Sequence, residues 1–444
     1  MLKLSIPKQR LWQRLATLDV HLRDVFRDTS YGFLLRVGGG GLAFGANWLL
    51  ARLLGPSGVG IYYLAFTTIT IAAVLSRLGL NETCVRYASP AFAAGDWATV
   101  VGVRRTASLL VLAAATVITV ILLIAAPAIS LYVFHQPELT NTLRVMVVAL
   151  VPFAWLNIDA SMLQSTGHVP AATVVQAVAV PGVFFLLLVL TSLLHAAPVV
   201  AAGCYTSATI IVFIVGRWVW RSSVTSSLLA ATRYSSLRLL KTGLSIMGVN
   251  SISLIMSWTD TVCLGIWSSS SEVGRYNIAV RVALLTSLVV YAVCSAIGPK
   301  FAALYGQQNF AALRTLTQRT CLILLAIGLP MLIVLLVIPK IILGLFGNGF
   351  SDAYAALMIL ASAQFILVVV GAVGHLLIMT GHEATLRNIL GVSALINVVL
   401  NVILVPRFGA VGAATATAIS LTLMNILSVA LAKKRLGIWA VPKW

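Results

Sequence analysis

The residues of this chain that could carry chemistry are a few ionisable side chains inside long apolar stretches. Arg281 lies about seven residues into one stretch, and Asp260 lies about eight residues before the end of the preceding one. At 1.5 Å per residue, both are on the order of 10 Å below the same membrane surface. A charge inside a membrane needs a partner, a wet cavity or a function. Two interpretations stay open: an Asp260–Arg281 ion pair, or an Arg281 that binds an anionic substrate while Asp260 tunes it or accepts a proton.

Three more charged residues lie nearer the ends of apolar stretches. Arg36 and Arg77 can either extend their long side chains to the headgroups or face a substrate cavity. Asp159 lies about eight residues inside its stretch, with Asn157 and Gln164 nearby. It is either a protonation site for ion coupling or a partner for a neighbouring helix.

Uncharged polar residues inside the stretches are candidates for contacts with sugar hydroxyls. They are Asn47, Asn250, Gln364 and His375. Hydrogen bonds between adjacent helices explain such residues equally well. We carry Arg36, Asn47, Arg77, Asn250, Arg281 and Gln364 forward as predicted substrate-binding residues, and Asp159 and Asp260 as predicted ion-coupling residues.

Patterns typical of enzymes and metal sites do not occur in the sequence. The five cysteines have no CxxC spacing, and His168 and His382 each follow a Thr-Gly pair without other ligand types nearby. The 11 acidic residues are scattered, and no Gly-rich phosphate loop or nucleophile triad is present. We therefore predict a protein that is not an enzyme and has no metal or organic cofactor, with proton or sodium coupling as the expected driving force.

The composition indicates that lipid is the solvent of this chain. Of its 444 residues, 60% are hydrophobic and 9% charged, and the mean hydropathy is +1.02, far beyond what one soluble core buries. The net charge of +19 could suggest nucleic acid. However, the basic residues lie in short loops between apolar runs, which is typical of membrane topology. We expect no nucleic-acid partner.

Apolar runs that are separated by glycine, proline and charged residues predict twelve membrane spans. They cover residues 30–53, 58–80, 104–127, 141–164, 169–193, 197–217, 241–267, 274–299, 315–338, 353–379, 385–405 and 410–432. Of the 30 Lys and Arg residues, 22 fall on the side that carries both termini and five on the other. This bias predicts that both termini are cytoplasmic.

An internal repeat divides the chain into two halves. Residues 58–62 (GVGIY) recur at 272–276 (EVGRY), and Thr-Gly-His at 166–168 recurs at 380–382, both with a shift of 214. The shift contains an even number of spans, so the halves enter the membrane in the same direction. The predicted segments are a basic amphipathic region at 1–29, six-helix bundles at 30–217 and 241–432, a cytoplasmic linker at 218–240 and a tail at 433–444.

Tyrosine and tryptophan residues near predicted span ends are expected to form an interfacial aromatic belt. They are Tyr62, Tyr63, Trp155, Trp218, Trp220, Trp258 and Trp267.

Several motifs carry a resemblance to a known family. Residues 51–62 (ARLLGPSGVGIY), 95–97 (GDW), 345–350 (LFGNGF) and 406–414 (PRFGAVGAA) resemble the polysaccharide biosynthesis and oligosaccharide flippase family. The resemblance covers roughly residues 30–432. It implies the all-α membrane fold of the multidrug/oligosaccharidyl-lipid/polysaccharide exporter superfamily, with two six-helix bundles and alternating access. Lipid-II flippases of this superfamily resemble the chain in having cavity arginines on the first, second and eighth spans, where Arg36, Arg77 and Arg281 lie.

The resemblance implies export of an undecaprenyl-diphosphate-linked oligosaccharide across the inner membrane for cell-surface polysaccharide synthesis. Its expected partners are that substrate, membrane lipids, a polysaccharide polymerase and a chain-length regulator. An ion-coupled exporter of organic cations on the same fold is the nearest alternative. A membrane polymerase or glycosyltransferase would need longer extramembrane loops or paired acidic residues.

Overall fold

The computed structural model describes residues 8–192, 197–223 and 234–439. Parts of four predicted segments lie outside the described residues: 1–7 of the basic region, 193–196 of the first bundle, 224–233 of the linker and 440–444 of the tail. Residues 8–29, the described part of the predicted basic amphipathic region, are helical and continue directly into the first span. Within the described ranges all regular secondary structure is helical.

The helices follow one another with short connections. In the first half they are α1 Lys8–Ser76, α2 Leu80–Ala93, α3 Trp97–Ala128, α4 Leu139–Val147, α5 Leu150–Ser165, α6 Val169–Thr173, α7 Val180–Thr191 and α8 Pro198–Ser223. In the second half they are α9 Ser236–Trp267, α10 Ser270–Leu284, α11 Ser287–Gly306, α12 Phe310–Val337, α13 Pro339–Gly344, α14 Tyr354–Met379 and α15 Glu383–Leu436. A π-helical stretch, Val174–Ala179, joins α6 to α7.

The two longest helices, α1 and α15, are each two spans folded back at a glycine. Gly55 (φ 64°) and Gly409 (φ 52°) adopt backbone angles that side chains disfavour. Tyr63 Oη donates to Asn47 Oδ1 at 2.5 Å, although 16 residues of straight helix would separate them by about 24 Å. The chain therefore reverses between these two residues. Asn397 Nδ2 and Thr417 Oγ1, 3.2 Å apart, show the same reversal in α15.

The described residues confirm the predicted all-α membrane architecture. Eight helices are long and apolar enough to cross a membrane, or nine with the bent α9 counted as one span. Counting the α1 and α15 hairpins as two spans each, and adding the interrupted pair α10 and α11, gives the twelve predicted spans. One local prediction is wrong: residues 80–93, expected as loop, form the short helix α2. The hydropathy of this segment is lowered by Asn81, Glu82 and Arg86, but these residues are compatible with a helix.

The two halves meet at both ends of the bundle through glycines. At the Gly55 end, a Cβ on Gly60 would lie 1.7 Å from the Ser270 carbonyl oxygen, and one on Gly274 would lie 2.0 Å from the Pro56 oxygen. Gly60 and Gly274 are equivalent under the shift of 214. At the other end, a Cβ on Gly243 would lie 2.5 Å from the Leu78 oxygen. Only glycine permits backbones to approach so closely.

Candidate functional site

Three cavities adjoin one another between the halves, and Trp258 lines all of them. The entrance chamber, of about 330 Å³, contains Arg77, Glu82 and Asn250 near the predicted cytoplasmic end. The aromatic chamber, of about 350 Å³, lies in the first half, and the polar chamber, of about 570 Å³, lies in the second half. Ligand sites of this size are typical between helices of a bundle.

Arg281 lies at the junction of the aromatic and polar chambers and lines both. Its guanidinium carbon is 5.4 Å from the ring centre of Tyr63 and 5.7 Å from that of Trp258. Its Nε is buried without a hydrogen-bond partner, and no carboxylate of the described residues is within 4 Å of it. The aromatic contacts stabilise the cation in part. An anion is the group that would complete its environment.

Asp260 lies in the polar chamber and is 5% exposed. Its carboxylate accepts hydrogen bonds from Tyr276 Oη, Thr417 Oγ1 and Asn401 Nδ2 at 2.5, 2.5 and 2.7 Å. The ion pair with Arg281 that the sequence left open is therefore not formed, since α10 and both spans of the α15 region supply uncharged partners instead. The amide oxygens of Asn397 and Asn401 are buried nearby without partners.

The polar residues predicted to bind substrate are distributed over the three chambers. Asn47 lies in the aromatic chamber, where it is bonded to Tyr63. Asn250 lies in the entrance chamber and donates to Glu82 at 3.2 Å, and Arg77 lies beside them with its Nε on the Ala73 oxygen. Gln364 lies in the polar chamber and accepts from Ser287 Oγ at 3.0 Å. The structure thus brings these residues to three adjoining chambers that share Trp258.

Arg36 and Asp159 lie away from these chambers. Arg36 is exposed on α1, which fits the interpretation that its side chain reaches the headgroups. Asp159 is fully buried and forms ion pairs with Arg104 Nη2 at 2.5 Å and Arg217 Nη1 at 3.8 Å. Both arginines stack on tryptophans, Trp220 and Trp155 respectively. Asp159 therefore has the environment of a structural ion pair between α3, α5 and α8.

The aromatic residues expected at the membrane interface do not all lie there: Trp220 is 0% exposed and lines none of the three chambers, so the belt prediction is wrong for it. Trp218 and Trp267 are 69% and 44% exposed, as a belt requires. Tyr62 and Tyr63 are 3% and 2% exposed and line the aromatic chamber, so the belt prediction is wrong for them. Trp258 likewise lines all three chambers. Proximity to a span end indicated depth along the membrane but not whether a ring faces lipid or the cavity.

The repeat extends to individual hydrogen bonds. Tyr63 bonds to Asn47, and Thr261 Oγ1 donates to Asn277 Oδ1 at 3.3 Å. These pairs are related by the shift of 214. The same shift places Ala46 at the position of Asp260 and Tyr62 at the position of Tyr276. Of the two equivalent positions 46 and 260, only the one in the second half therefore carries a carboxylate.

Comparison with known families addresses the resemblance directly. The model described as polysaccharide biosynthesis protein matches residues 25–305, more than half of the chain. The chain belongs to the polysaccharide biosynthesis protein family. A second model, MatE, matches residues 245–403. A relative of this polysaccharide biosynthesis protein is the probable low-salt glycan biosynthesis flippase Agl15 of Haloferax volcanii, 26% identical over 416 residues that cover 91% of this chain and 82% of Agl15.

Solved structures confirm the fold expected of this polysaccharide biosynthesis protein. An inward-facing multidrug resistance MATE transporter of the MOP superfamily superposes with a TM-score of 0.78 at 16% identity, covering 91% of this chain and 98% of that one. The lipid II flippase MurJ in its inward closed conformation gives 0.72 at 14% identity, covering 92% and 87%. The chain is therefore a multi-pass membrane protein with the transporter fold of this superfamily.

Proposed function

We propose that the protein is a flippase that moves a lipid-linked oligosaccharide between the leaflets of the membrane. The names of Agl15 and MurJ support this assignment. The observation that carries it is Arg281, a cation at the junction of two chambers without a carboxylate partner among the described residues. A phosphate beside the glycan would satisfy that cation, and amide groups such as Gln364 suit sugar hydroxyls.

The more detailed proposal is an undecaprenyl-diphosphate anchor, carried from the cytoplasmic to the periplasmic side of an inner membrane by alternating access. The glycine contacts at Gly60/Gly274 and at Gly243 support two gates, one at each end of the cavity. Opening one gate while the other stays closed would expose Arg281 to each side in turn. A polymerase and a chain-length regulator would then act on the exported product.

Ion coupling is proposed at Asp260 rather than Asp159. Asp260 lines the polar chamber, whereas Asp159 neutralises two arginines outside the chambers. A proton would occupy the Asp260 carboxylate directly. A sodium ion would be bound by the Asp260 carboxylate and by the amide oxygens of Asn397 and Asn401, which have no hydrogen-bond partner.

Complementation of a strain that lacks its oligosaccharide flippase tests the function. Wild type, Arg281→Gln and Arg36→Gln are compared at matched membrane levels, with polymer at the cell surface as the readout. Wild type and Arg36→Gln should restore polymer, because Arg36 lies outside the chambers, whereas Arg281→Gln should not. If wild type restores no polymer for several glycans but confers resistance to organic cations, the protein is an exporter of small molecules.

A further inference from the structure

The two chambers that meet at Arg281 differ in chemistry. The aromatic chamber is lined mainly by rings and small apolar side chains, including Tyr62, Phe66, Phe153, Phe184 and Tyr205. The polar chamber combines apolar side chains, such as Leu360 and Met424, with many more hydroxyl and amide groups than the aromatic chamber has, including Ser253, Ser257, Gln364, Asn397 and Thr417. A ligand held at Arg281 therefore has an apolar space on one side and a polar space on the other.

The rings of the aromatic chamber are packed against one another. Tyr62 is stacked between Phe66 and Phe184, at centroid distances of 6.1 and 5.9 Å and interplanar angles of 11° and 10°. Tyr205 packs edge-on against Phe66 and Phe184. A sugar that stacks on a protein needs a free ring face. Tyr62 offers none, and its neighbours share theirs with one another.

Apart from Arg281 and the ring groups of its tyrosines and Trp258, the aromatic chamber has two polar side chains, Asn47 and Thr70, and both already have partners within the protein. Asn47 donates to the Ala43 oxygen at 2.7 Å and accepts from Tyr63. Thr70 Oγ1 donates to the Phe66 oxygen at 2.7 Å. Sugar hydroxyls placed here would lose water without gaining equivalent hydrogen bonds. An apolar group has no such cost and would fill the space.

The polar chamber offers the opposite balance. Ser253 and Ser257 line it and are exposed, so their hydroxyls can form hydrogen bonds with a sugar. The side chain of Gln364 lines the same wall. A sugar can therefore exchange its hydrogen bonds with water for bonds with this chamber.

We infer that this asymmetry orients the substrate: the isoprene units next to the phosphate enter the aromatic chamber, and the first sugar enters the polar chamber. The inference rests on the proposed function, because it requires the phosphate at Arg281. The aromatic chamber, the Arg281 guanidinium and the polar chamber then follow one another in the same order as the prenyl, phosphate and sugar groups of the substrate. The volume of about 350 Å³ admits only a short part of the lipid.

Binding of three soluble probes to the full chain in nanodiscs of zwitterionic lipid tests this inference. The probes are inorganic diphosphate, geranyl diphosphate (ten prenyl carbons) and glucose 1-phosphate. Binding is measured as quenching of tryptophan fluorescence, and the signal of the Trp258→Phe variant is subtracted to isolate the contribution of Trp258. Burial of the prenyl carbons should make geranyl diphosphate bind at least about tenfold more tightly than diphosphate. Phe184→Ala should remove most of that advantage and leave diphosphate binding unchanged. Phe213→Ala, an aromatic truncation at the Trp155 contact outside the chambers, should change neither.

The outcomes separate this inference from the function on which it rests. If geranyl diphosphate and diphosphate bind equally, yet both lose affinity in Arg281→Gln, the orientation is wrong while the anion site stands. If Phe184→Ala weakens glucose 1-phosphate instead, the sugar occupies the aromatic chamber and the inference is overturned. If no probe depends on Arg281, the proposed function loses its binding site.

Discussion

Gly60 and Gly274, equivalent residues of the two halves, lie against each other's helix backbones at the Gly55 end of the bundle. Each would direct a Cβ into backbone atoms of the other helix, at 1.7 and 2.0 Å. Ser57 Oγ and Ser270 Oγ lie 2.9 Å apart at the same contact. The halves can therefore close this end only while both positions lack a side chain.

Gly60→Ala should shift the protein towards a state open at this end. Overpacking against backbone costs about 1–3 kcal/mol, which lowers the closed population roughly five- to 150-fold relative to the open one. Disulfide formation between Ser57→Cys and Ser270→Cys measures the closed state and should fall. Gly243→Ala, which disturbs the contact at the opposite end, is the matched control and should not lower it. Equal disulfide yields in all three backgrounds would contradict a glycine gate.

Asp260→Asn should abolish the dependence of flipping on an ion gradient. Asparagine can keep hydrogen bonds with Tyr276 and Thr417 but carries no titratable or ion-neutralising charge. Flipping of a fluorescent lipid-linked sugar is measured in vesicles under imposed sodium or proton gradients. Coupling lies elsewhere if the variant responds to the gradients as wild type does.

Asp159→Asn should lower stability and leave coupling intact. Removing one partner of a buried ion pair typically costs about 3–5 kcal/mol, and the 28% exposure of Arg217 reduces this to about 3 kcal/mol. Thermal unfolding in detergent measures the loss. The control is Asp352→Asn, which breaks an ion pair with Arg275 whose aspartate is 63% exposed, and it should cost less than about 1 kcal/mol. A stable Asp159→Asn protein without gradient-driven flipping would reverse the assignments of the two aspartates.

Arg281→Lys should retain little of the wild-type flipping rate. The planar guanidinium lies over Tyr63 and Trp258 and can hold phosphate with two hydrogen bonds, whereas an ammonium is a single, strongly hydrated point charge. Rates in vesicles at saturating and limiting substrate distinguish weaker binding from slower transport. Wild-type rates in Arg281→Lys would mean that charge alone suffices there.

Much of the architecture could be predicted from periodicity, charge bias and the repeat. The twelve spans followed from apolar length, and Arg281, placed inside the predicted span 274–299, lines two of the chambers. The direction in which the Arg281 side chain points could not be predicted, because it depends on how the helices pack. The repeat contained one unused clue: Tyr62 and Tyr63 share positions with Tyr276 and Asn277, which contact the Asp260 region.

Partners distant along the chain could not be predicted. Asp260 meets Thr417 and Asn401, 157 and 141 residues away, and Asp159 meets Arg104, 55 residues away. A single sequence does not indicate which helices pack together. The aromatic chamber was missed for the same reason, since span-end tyrosines fit a lipid interface equally well.

Under the proposed coupling at Asp260, the alanine at the equivalent position 46 of the first half leaves one carboxylate to drive the cycle. A cycle coupled through one carboxylate exchanges one monovalent cation, and one elementary charge crossing 100 mV supplies about 2.3 kcal/mol. That free energy corresponds to a ratio of roughly 50 between the substrate concentrations of the two leaflets, apart from the charge that the substrate itself carries. A larger steady-state ratio for a neutral substrate analogue, measured at 100 mV with equal cation concentrations on both sides, would require a second cation per cycle.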